Sequence, residues 1–108
     1  APWFFEGTGL GAGSTFGESV GGYGIEIDMR TPDSPPGTIL LCRVPDLFGP
    51  GLSAEMTYYE TEAGARVFSA GALDVCTTVA VWPMRRMLEN LWRRLLEDVP
   101  PPPPPPGV

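Results

Sequence analysis

The strongest periodic pattern of apolar positions lies near the end of the chain. Apolar residues recur there three and four positions apart, on one face of a helix of about fifteen residues: Met84, Met87, Leu88, Leu91, Trp92, Leu95 and Leu96. Pro83 suits the first turn of this helix, and Pro100 ends it. The opposite face carries charges of both signs in pairs four residues apart: Arg85 with Glu89, and Arg93 with Glu97. The pattern predicts a helix packed into a core.

Strand-like patterns precede this helix. Residues 38–44 form a mostly apolar run of strand length, which is typical of a central strand. Residues 56–70 join two runs of strand-forming side chains through a turn at residues 62–64, and this predicts a β-hairpin. The aromatic residues 3–5 indicate the end of a buried strand, and residues 23–28 alternate apolar and acidic side chains as a half-buried strand does.

Glycine and proline shape the other segments. Eight glycines between residues 7 and 24 predict an irregular loop, because glycine adopts conformations that other residues avoid. Residues 71–81 fit two alternatives, an extended segment or a loop with a cap. Seven consecutive prolines from Pro100 to Pro106 predict a disordered or polyproline II tail. We expect one domain over residues 1–99 and a proline-rich tail over residues 100–108.

Composition excludes several kinds of chemistry. The 108-residue chain has no histidine, and its seven cationic residues are all arginine. A serine or cysteine therefore has no ordinary base to activate it, and Schiff-base chemistry is excluded. The net charge of −6 argues against nucleic acid and anionic membranes as partners. No apolar run approaches the length of a membrane span.

The two cysteines, Cys42 and Cys76, lie in apolar stretches without metal-type spacing, so we expect reduced core residues. These features favour a cytoplasmic protein. The chain opens without Met and inside an aromatic run, which indicates a piece of a longer protein.

A few polar groups are candidates for chemistry. Gly7 and Gly9 suggest the dinucleotide-binding fingerprint, but no helical period follows them, so we expect a structural or site-lining loop. Glu26 and Asp28 share one face if they lie on a strand, where paired carboxylates serve acid–base chemistry, hold a metal or only face solvent.

Four segments occur in a distinctive order: Phe4-Phe5-Glu6-Gly7-Thr8-Gly9-Leu10, Gly22-Tyr23-Gly24-Ile25-Glu26-Ile27-Asp28, Met56-Thr57-Tyr58-Tyr59-Glu60-Thr61 with Gly64-Ala65-Arg66-Val67-Phe68-Ser69-Ala70-Gly71, and Met87-Leu88-Glu89-Asn90-Leu91-Trp92. Together they resemble the C-terminal domain of the large (β) subunit of N,N-dimethylformamidase and its relatives. The resemblance spans residues 3 to about 96. It departs after Gly71, where relatives continue with a strand end rich in Ser, Ile and Trp and this chain does not.

The resemblance implies a glutamine-amidotransferase-like (flavodoxin-like) three-layer α/β domain, here a few strands with a hairpin and one C-terminal amphipathic helix. It also implies a parent amidohydrolase that cleaves formamide-type C–N bonds with a mononuclear iron held by tyrosines and a glutamate. We expect those ligands upstream, so Tyr58, Tyr59 and Glu60 are not assigned to iron, and no metal or cofactor is expected in this segment. Glu6 and Glu26 are the candidate carboxylates that face the substrate or support the groups that do.

Two functions follow from these expectations. The first is a structural, site-lining part of the amidohydrolase, inactive alone and completed by the remainder of the parent chain or by a second subunit. The alternative is a non-enzymatic binding module that retains the fold and recruits an SH3-like partner through its proline tail.

Overall fold

The computed structural model describes residues 1–18, 21, 23–24, 26–72, 74–98 and 106–107. The elements in chain order are a 3₁₀ helix (Pro2–Phe5), strands β1 (Ile39–Val44), β2 (Ala54–Glu60) and β3 (Arg66–Ser69), a second 3₁₀ helix (Val75–Thr78) and helix α1 (Met84–Leu96). Most of the predicted proline tail, residues 100–105 and 108, lies outside the described residues.

The three strands form one antiparallel sheet in the order β1-β2-β3. β2 and β3 are the predicted hairpin, with Tyr58 opposite Phe68 in its register. β1 pairs with the other side of β2, and a register shift between Leu40 and Cys42 interrupts this ladder. The predicted strand at residues 38–44 is therefore present, but within the described sheet it lies at an edge and β2 occupies the centre. A small α/β domain with a hairpin and one C-terminal helix is confirmed.

The core lies between one face of the sheet, α1 and the first 3₁₀ helix. Its buried side chains come from all three: Phe4, Leu41, Met56, Tyr58, Met84, Met87 and Leu91. The amphipathic helix is confirmed, with its apolar stripe turned partly into this core as the periodicity requires. Arg85 pairs with Glu89 as predicted, whereas the Glu97 carboxylate lies 3.3 Å from Arg94 instead of pairing with Arg93.

The N-terminal aromatic segment is a 3₁₀ helix, so the predicted strand end at residues 3–5 is wrong. Pro2 fixes a backbone angle that suits the first turn of a helix, and the Phe4 N–H donates to the Ala1 carbonyl at 3.1 Å. This turn directs the Phe4 side chain fully into the core. Burial of aromatic side chains is the property that a short helix and a buried strand share, which explains the error.

Two further expectations need correction. The predicted strand at residues 23–28 is reduced, among the described residues, to a single antiparallel bridge between Ile27 and Ala72, and Ile25 lies outside them.

Cys42 is half-buried, and burial raises the pKa of its thiol to about 12. Cys76 is exposed rather than in the core. Residues 75–78 adopt a 3₁₀ turn, which is closer to the capped-loop alternative than to an extended segment.

Candidate functional site

A wide depression of about 730 Å³ opens beside the start of β2 and the end of β3. Its lining residues come from three segments: Glu26, Ile27, Asp28, Phe48, Ser69, Ala70, Gly71 and Ala72. Glu26, Asp28 and Ser69 are exposed, so two acidic residues and one serine lie around the same open space. Of the sequence candidates, Glu26 and Asp28 are brought together here.

Backbone hydrogen bonds hold the acidic segment in place. The Asp28 N–H donates to the Gly71 carbonyl at 3.0 Å, and the Asp28 carbonyl accepts from the Glu55 N–H at 2.9 Å. Asp28 is thus fixed by its main chain between Gly71, two residues after β3, and Glu55, the second residue of β2. Its carboxylate is not needed for this anchoring and remains exposed.

Gly71 permits the close approach on which this arrangement depends. Its φ is +64°, and a Cβ added there would lie 1.8 Å from the Glu55 carbonyl oxygen. A side chain would therefore push the segment after β3 away from β2. Gly71, two residues after the end of β3, therefore has a structural role in shaping the depression.

An ion pair between Arg30 and Glu55 also holds the acidic segment against β2. Glu55 is only 5% exposed, and its carboxylate accepts the Arg30 N–H at 2.8 Å and the Arg30 guanidinium at 3.1 and 3.2 Å. Hydrogen bonding to Arg30 lowers the pKa of Glu55, so this carboxylate is charged at neutral pH. It is bound to a cation, whereas among the described contacts Glu26 and Asp28 have no such partner. Glu55 is not among the candidates that the sequence suggests, because a lone acid beside a strand-forming run is its only signal.

Glu6 does not line the depression. It follows the first 3₁₀ helix, and its backbone carbonyl accepts hydrogen bonds from Asn90 Nδ2 at 2.8 Å and Arg86 Nε at 3.1 Å. The described contacts therefore fix the main chain of Glu6 on α1, while the residue stays exposed. The two carboxylates that the sequence suggested, Glu6 and Glu26, belong to different parts of the surface.

A second polar cluster lies where the hairpin meets α1. Tyr58 is 2% exposed, and its hydroxyl donates to Glu60 Oε1 at 2.6 Å. Arg94 binds the same oxygen at 2.9 Å and lies over the Trp3 ring at 5.4 Å from its centroid. Burial, followed by the bond to Glu60, raises the pKa of Tyr58. Tyr58 and Glu60 share a strand face, the spacing that could have predicted their contact.

Comparison with protein families identifies this architecture. A family model described as N,N-dimethylformamidase beta subunit-like, C-terminal, matches residues 1–87, which is most of the chain. The chain belongs to this family. Comparison with curated proteins and with solved structures gave no significant match.

The match covers every element of this dimethylformamidase-like domain up to the first turn of α1. The depression and the Tyr58 cluster both fall within it, apart from Arg94. Of the four sequence segments that resemble the family, the first three lie inside the matched range and the last, Met87–Trp92, only begins there. No helix among the described residues is long and apolar enough to cross a membrane.

The iron that the family resemblance implies does not fit the Tyr58 cluster of this dimethylformamidase-like domain. Tyrosine binds iron as a phenolate, yet the environment raises the pKa of Tyr58 and so favours the neutral phenol. The Glu60 carboxylate is already bound by the guanidinium groups of Arg94 at 2.9 Å and Arg66 at 3.8 Å. A metal cation there would displace or repel both arginines, so the cluster as the structure holds it does not fit an iron site.

Proposed function

We propose that this domain is the C-terminal structural and site-lining part of an amidohydrolase resembling N,N-dimethylformamidase, which hydrolyses a formamide-type C–N bond. The family match over residues 1–87 carries the proposal. The depression supports it, because hydrogen bonds hold its rim in place while its polar residues remain exposed and take no part in the core. In this proposal the three-layer glutamine-amidotransferase-like fold is completed by the remainder of the enzyme or by a second subunit.

Glu26 is the substrate-side carboxylate of this proposal. It is exposed at the rim of the depression, and its neighbour Asp28 is held by main-chain bonds at 3.0 and 2.9 Å. Cleavage of a formamide-type bond releases an amine, which is protonated at neutral pH. A carboxylate at the rim stabilises that cation through a charge-assisted hydrogen bond. Glu6, fixed through its carbonyl on α1, supports a neighbouring part of the enzyme.

In this proposal the domain on its own does not hydrolyse amides. Ser69 is the exposed hydroxyl of the depression, but the chain has no histidine or lysine to take its proton. An iron held elsewhere in the parent enzyme would supply Lewis-acid chemistry, and no residue of this domain is assigned as its ligand. This domain binds and orients, and the bond-breaking groups lie in the remainder of the parent chain or in a second subunit.

Amine release from N,N-dimethylformamide and from formamide tests the proposal. Residues 1–108 alone should give none, while the whole enzyme that carries this domain should turn over. In the whole enzyme, Glu26→Gln should lower kcat/KM about 10- to 100-fold, the value of a hydrogen bond to a charged group. Glu62→Gln, at the exposed hairpin turn, is the matched control and should leave kcat/KM unchanged.

Each result addresses a separate part of the proposal. Turnover by residues 1–108 alone would show that the domain carries its own catalytic groups. Unchanged kcat/KM in Glu26→Gln would remove the substrate-side role of the depression. A whole enzyme that folds but releases amine from no formamide-type substrate would overturn the assigned activity.

A further inference from the structure

Residues 27–30, here called the rim segment, lie between β2 and residues 71–72. On one side an antiparallel bridge joins Ile27 to Ala72. On the other side the described hydrogen bonds of the rim segment all go to one residue of β2, Glu55. Among these described bonds, the attachment of the rim segment to β2 therefore depends on Glu55.

Glu55 holds the rim segment with both its main chain and its side chain. Its N–H donates to the Asp28 carbonyl at 2.9 Å, and its Oε1 accepts the Arg30 N–H at 2.8 Å. The carboxylate also accepts from the Arg30 guanidinium, at 3.1 Å from Nε and 3.2 Å from Nη2. Hydrogen bonds between charged groups are stronger than those between neutral ones. The backbone is thus fixed on both sides of Met29.

The surroundings of Glu55 leave this arrangement little freedom. Glu55 is only 5% exposed, so water cannot readily replace Arg30 as the partner of its carboxylate. Its carbonyl lies so close to Gly71 that a Cβ added there would be 1.8 Å from the oxygen. A shift of Glu55 therefore moves the rim segment and the Gly71 backbone together, and both border the depression.

We propose that Glu55 is a positioning residue for Glu26 and that it acts through the rim segment. Glu26 directly precedes the bridge at Ile27, so the place of its carboxylate follows the place of this segment. Glu55 is not among the residues that line the depression, and its effect on the reaction is indirect. The inference rests on the proposed function, because it requires Glu26 to face the substrate.

Amide hydrogen exchange of the whole enzyme tests the hold on the rim segment without a substrate. Glu55→Gln keeps the size of the side chain but replaces one carboxylate oxygen by an amide group that cannot accept from Arg30. Peptides that contain residues 28–30 should exchange about fivefold faster, because a segment with weaker hydrogen bonds opens more often.

Glu60→Gln is the matched control for both measurements. Glu60 also lies on β2 and binds an arginine, Arg94, at 2.9 Å, but at the opposite end of the strand. Its replacement removes the same kind of ion pair and should leave the exchange of residues 28–30 unchanged.

The rate of amine release tests whether the rim segment acts on the reaction. Glu55→Gln should lower kcat/KM about 3- to 10-fold, and Glu60→Gln should leave it unchanged. The combination of Glu55→Gln with Glu26→Gln separates positioning from a general loss of folded enzyme. If Glu55 acts through Glu26, Glu55→Gln should have no further effect once Glu26→Gln is present, whereas a general loss multiplies the two effects.

The outcomes separate this inference from the function on which it rests. Unchanged exchange of residues 28–30 in Glu55→Gln overturns the inference, as does an equal response to Glu60→Gln. Multiplied effects in the double variant also overturn it, because Glu55 would then only stabilise the fold. Unchanged kcat/KM in Glu26→Gln overturns the proposed function and with it the kinetic role of Glu55, while the exchange measurement decides its hold on the rim segment separately.

Discussion

The two ends of β2 are held by different forces. Its last residues, from Tyr58 to Glu60, lie under α1 in a dense apolar and polar cluster. Its first residues, around Glu55, are held by main-chain hydrogen bonds and the ion pair with Arg30. The first end is packed into the hydrophobic core, and the second provides a rim on which Glu26 and Asp28 remain exposed.

Interlocking aromatic side chains distinguish the α1 end. The Trp3 ring lies edge-on to Tyr58 with centroids 4.9 Å apart, and Phe4 contacts Phe5 in the same way at 5.1 Å. Asn90 Nδ2 also ties the Phe4 carbonyl to α1 at 3.0 Å. The depression has one partly exposed ring, Phe48, and no comparable cluster is present there among the described residues. Of the two ends of β2, the depression is therefore the better suited to a function that needs exposed polar groups.

The largest expected effect is at the α1 end. Phe4 is fully buried, so Phe4→Ala leaves a cavity between α1 and the sheet and should destabilise the domain by about 3–5 kcal/mol. Urea denaturation followed by tryptophan fluorescence measures the change. Phe48→Ala is the control at the depression, where the ring is 48% exposed and the cost should be below about 1 kcal/mol. Equal losses would show that the two ends contribute alike.

A smaller effect is expected at the depression, where the backbone rather than the side-chain packing is critical. Gly71→Ala places a Cβ against the Glu55 carbonyl at a positive φ, and it should cost about 2–4 kcal/mol in urea denaturation. Gly64→Ala, at φ +91° in the hairpin turn with open space around it, should cost only about 1 kcal/mol. If the two variants lose the same amount, the close approach to Glu55 is not a constraint.

The helix and the hairpin could be predicted from the sequence because each has a local signature. The 3.6-residue period of α1 and the turn at Gly64 are contained in short windows. The 3₁₀ helix at residues 2–5 could not be separated from a strand, since burial of Phe4 is common to both. The edge position of β1 depends on which strands pair, and the sequence of one strand does not contain that information.

The site was only half predictable. Glu26 and Asp28 were candidates because acidic residues alternate with apolar ones, and the structure places both on the depression. Ser69 joins them through the hairpin register, and Arg30 reaches Glu55 across 25 positions of the chain, so neither contact has a local signal. Glu6 was grouped with Glu26 by the family resemblance alone, although its described contacts are with α1.

The smallest expected effect is electrostatic and concerns only the ion pair of Glu55 with Arg30 beside the depression. The pKa of Glu55 in the folded chain lies below its ordinary value of 4.5, first because of the hydrogen bonds from Arg30. A depressed carboxyl pKa means that the folded state binds its proton less tightly than the unfolded chain. The resulting stability is present above about pH 4.5 and is lost as the pH falls through the folded pKa.

Glu55→Gln should therefore lower the free energy of unfolding by about 1 kcal/mol at pH 7. This value is kept below that of a fully buried charge-assisted hydrogen bond because Arg30 is partly exposed. The difference between the variant and the original chain should shrink as the pH falls below 4.5. It is lost when the pH passes the lower pKa of the folded state, where the carboxylate is protonated and loses its charge-assisted bonds. Urea denaturation at a series of pH values measures it, with Glu62→Gln at the exposed turn as the control. A difference that stays constant through this range would mean that Glu55 stabilises the rim by packing alone, and the two ends of β2 would then be held by the same kind of force.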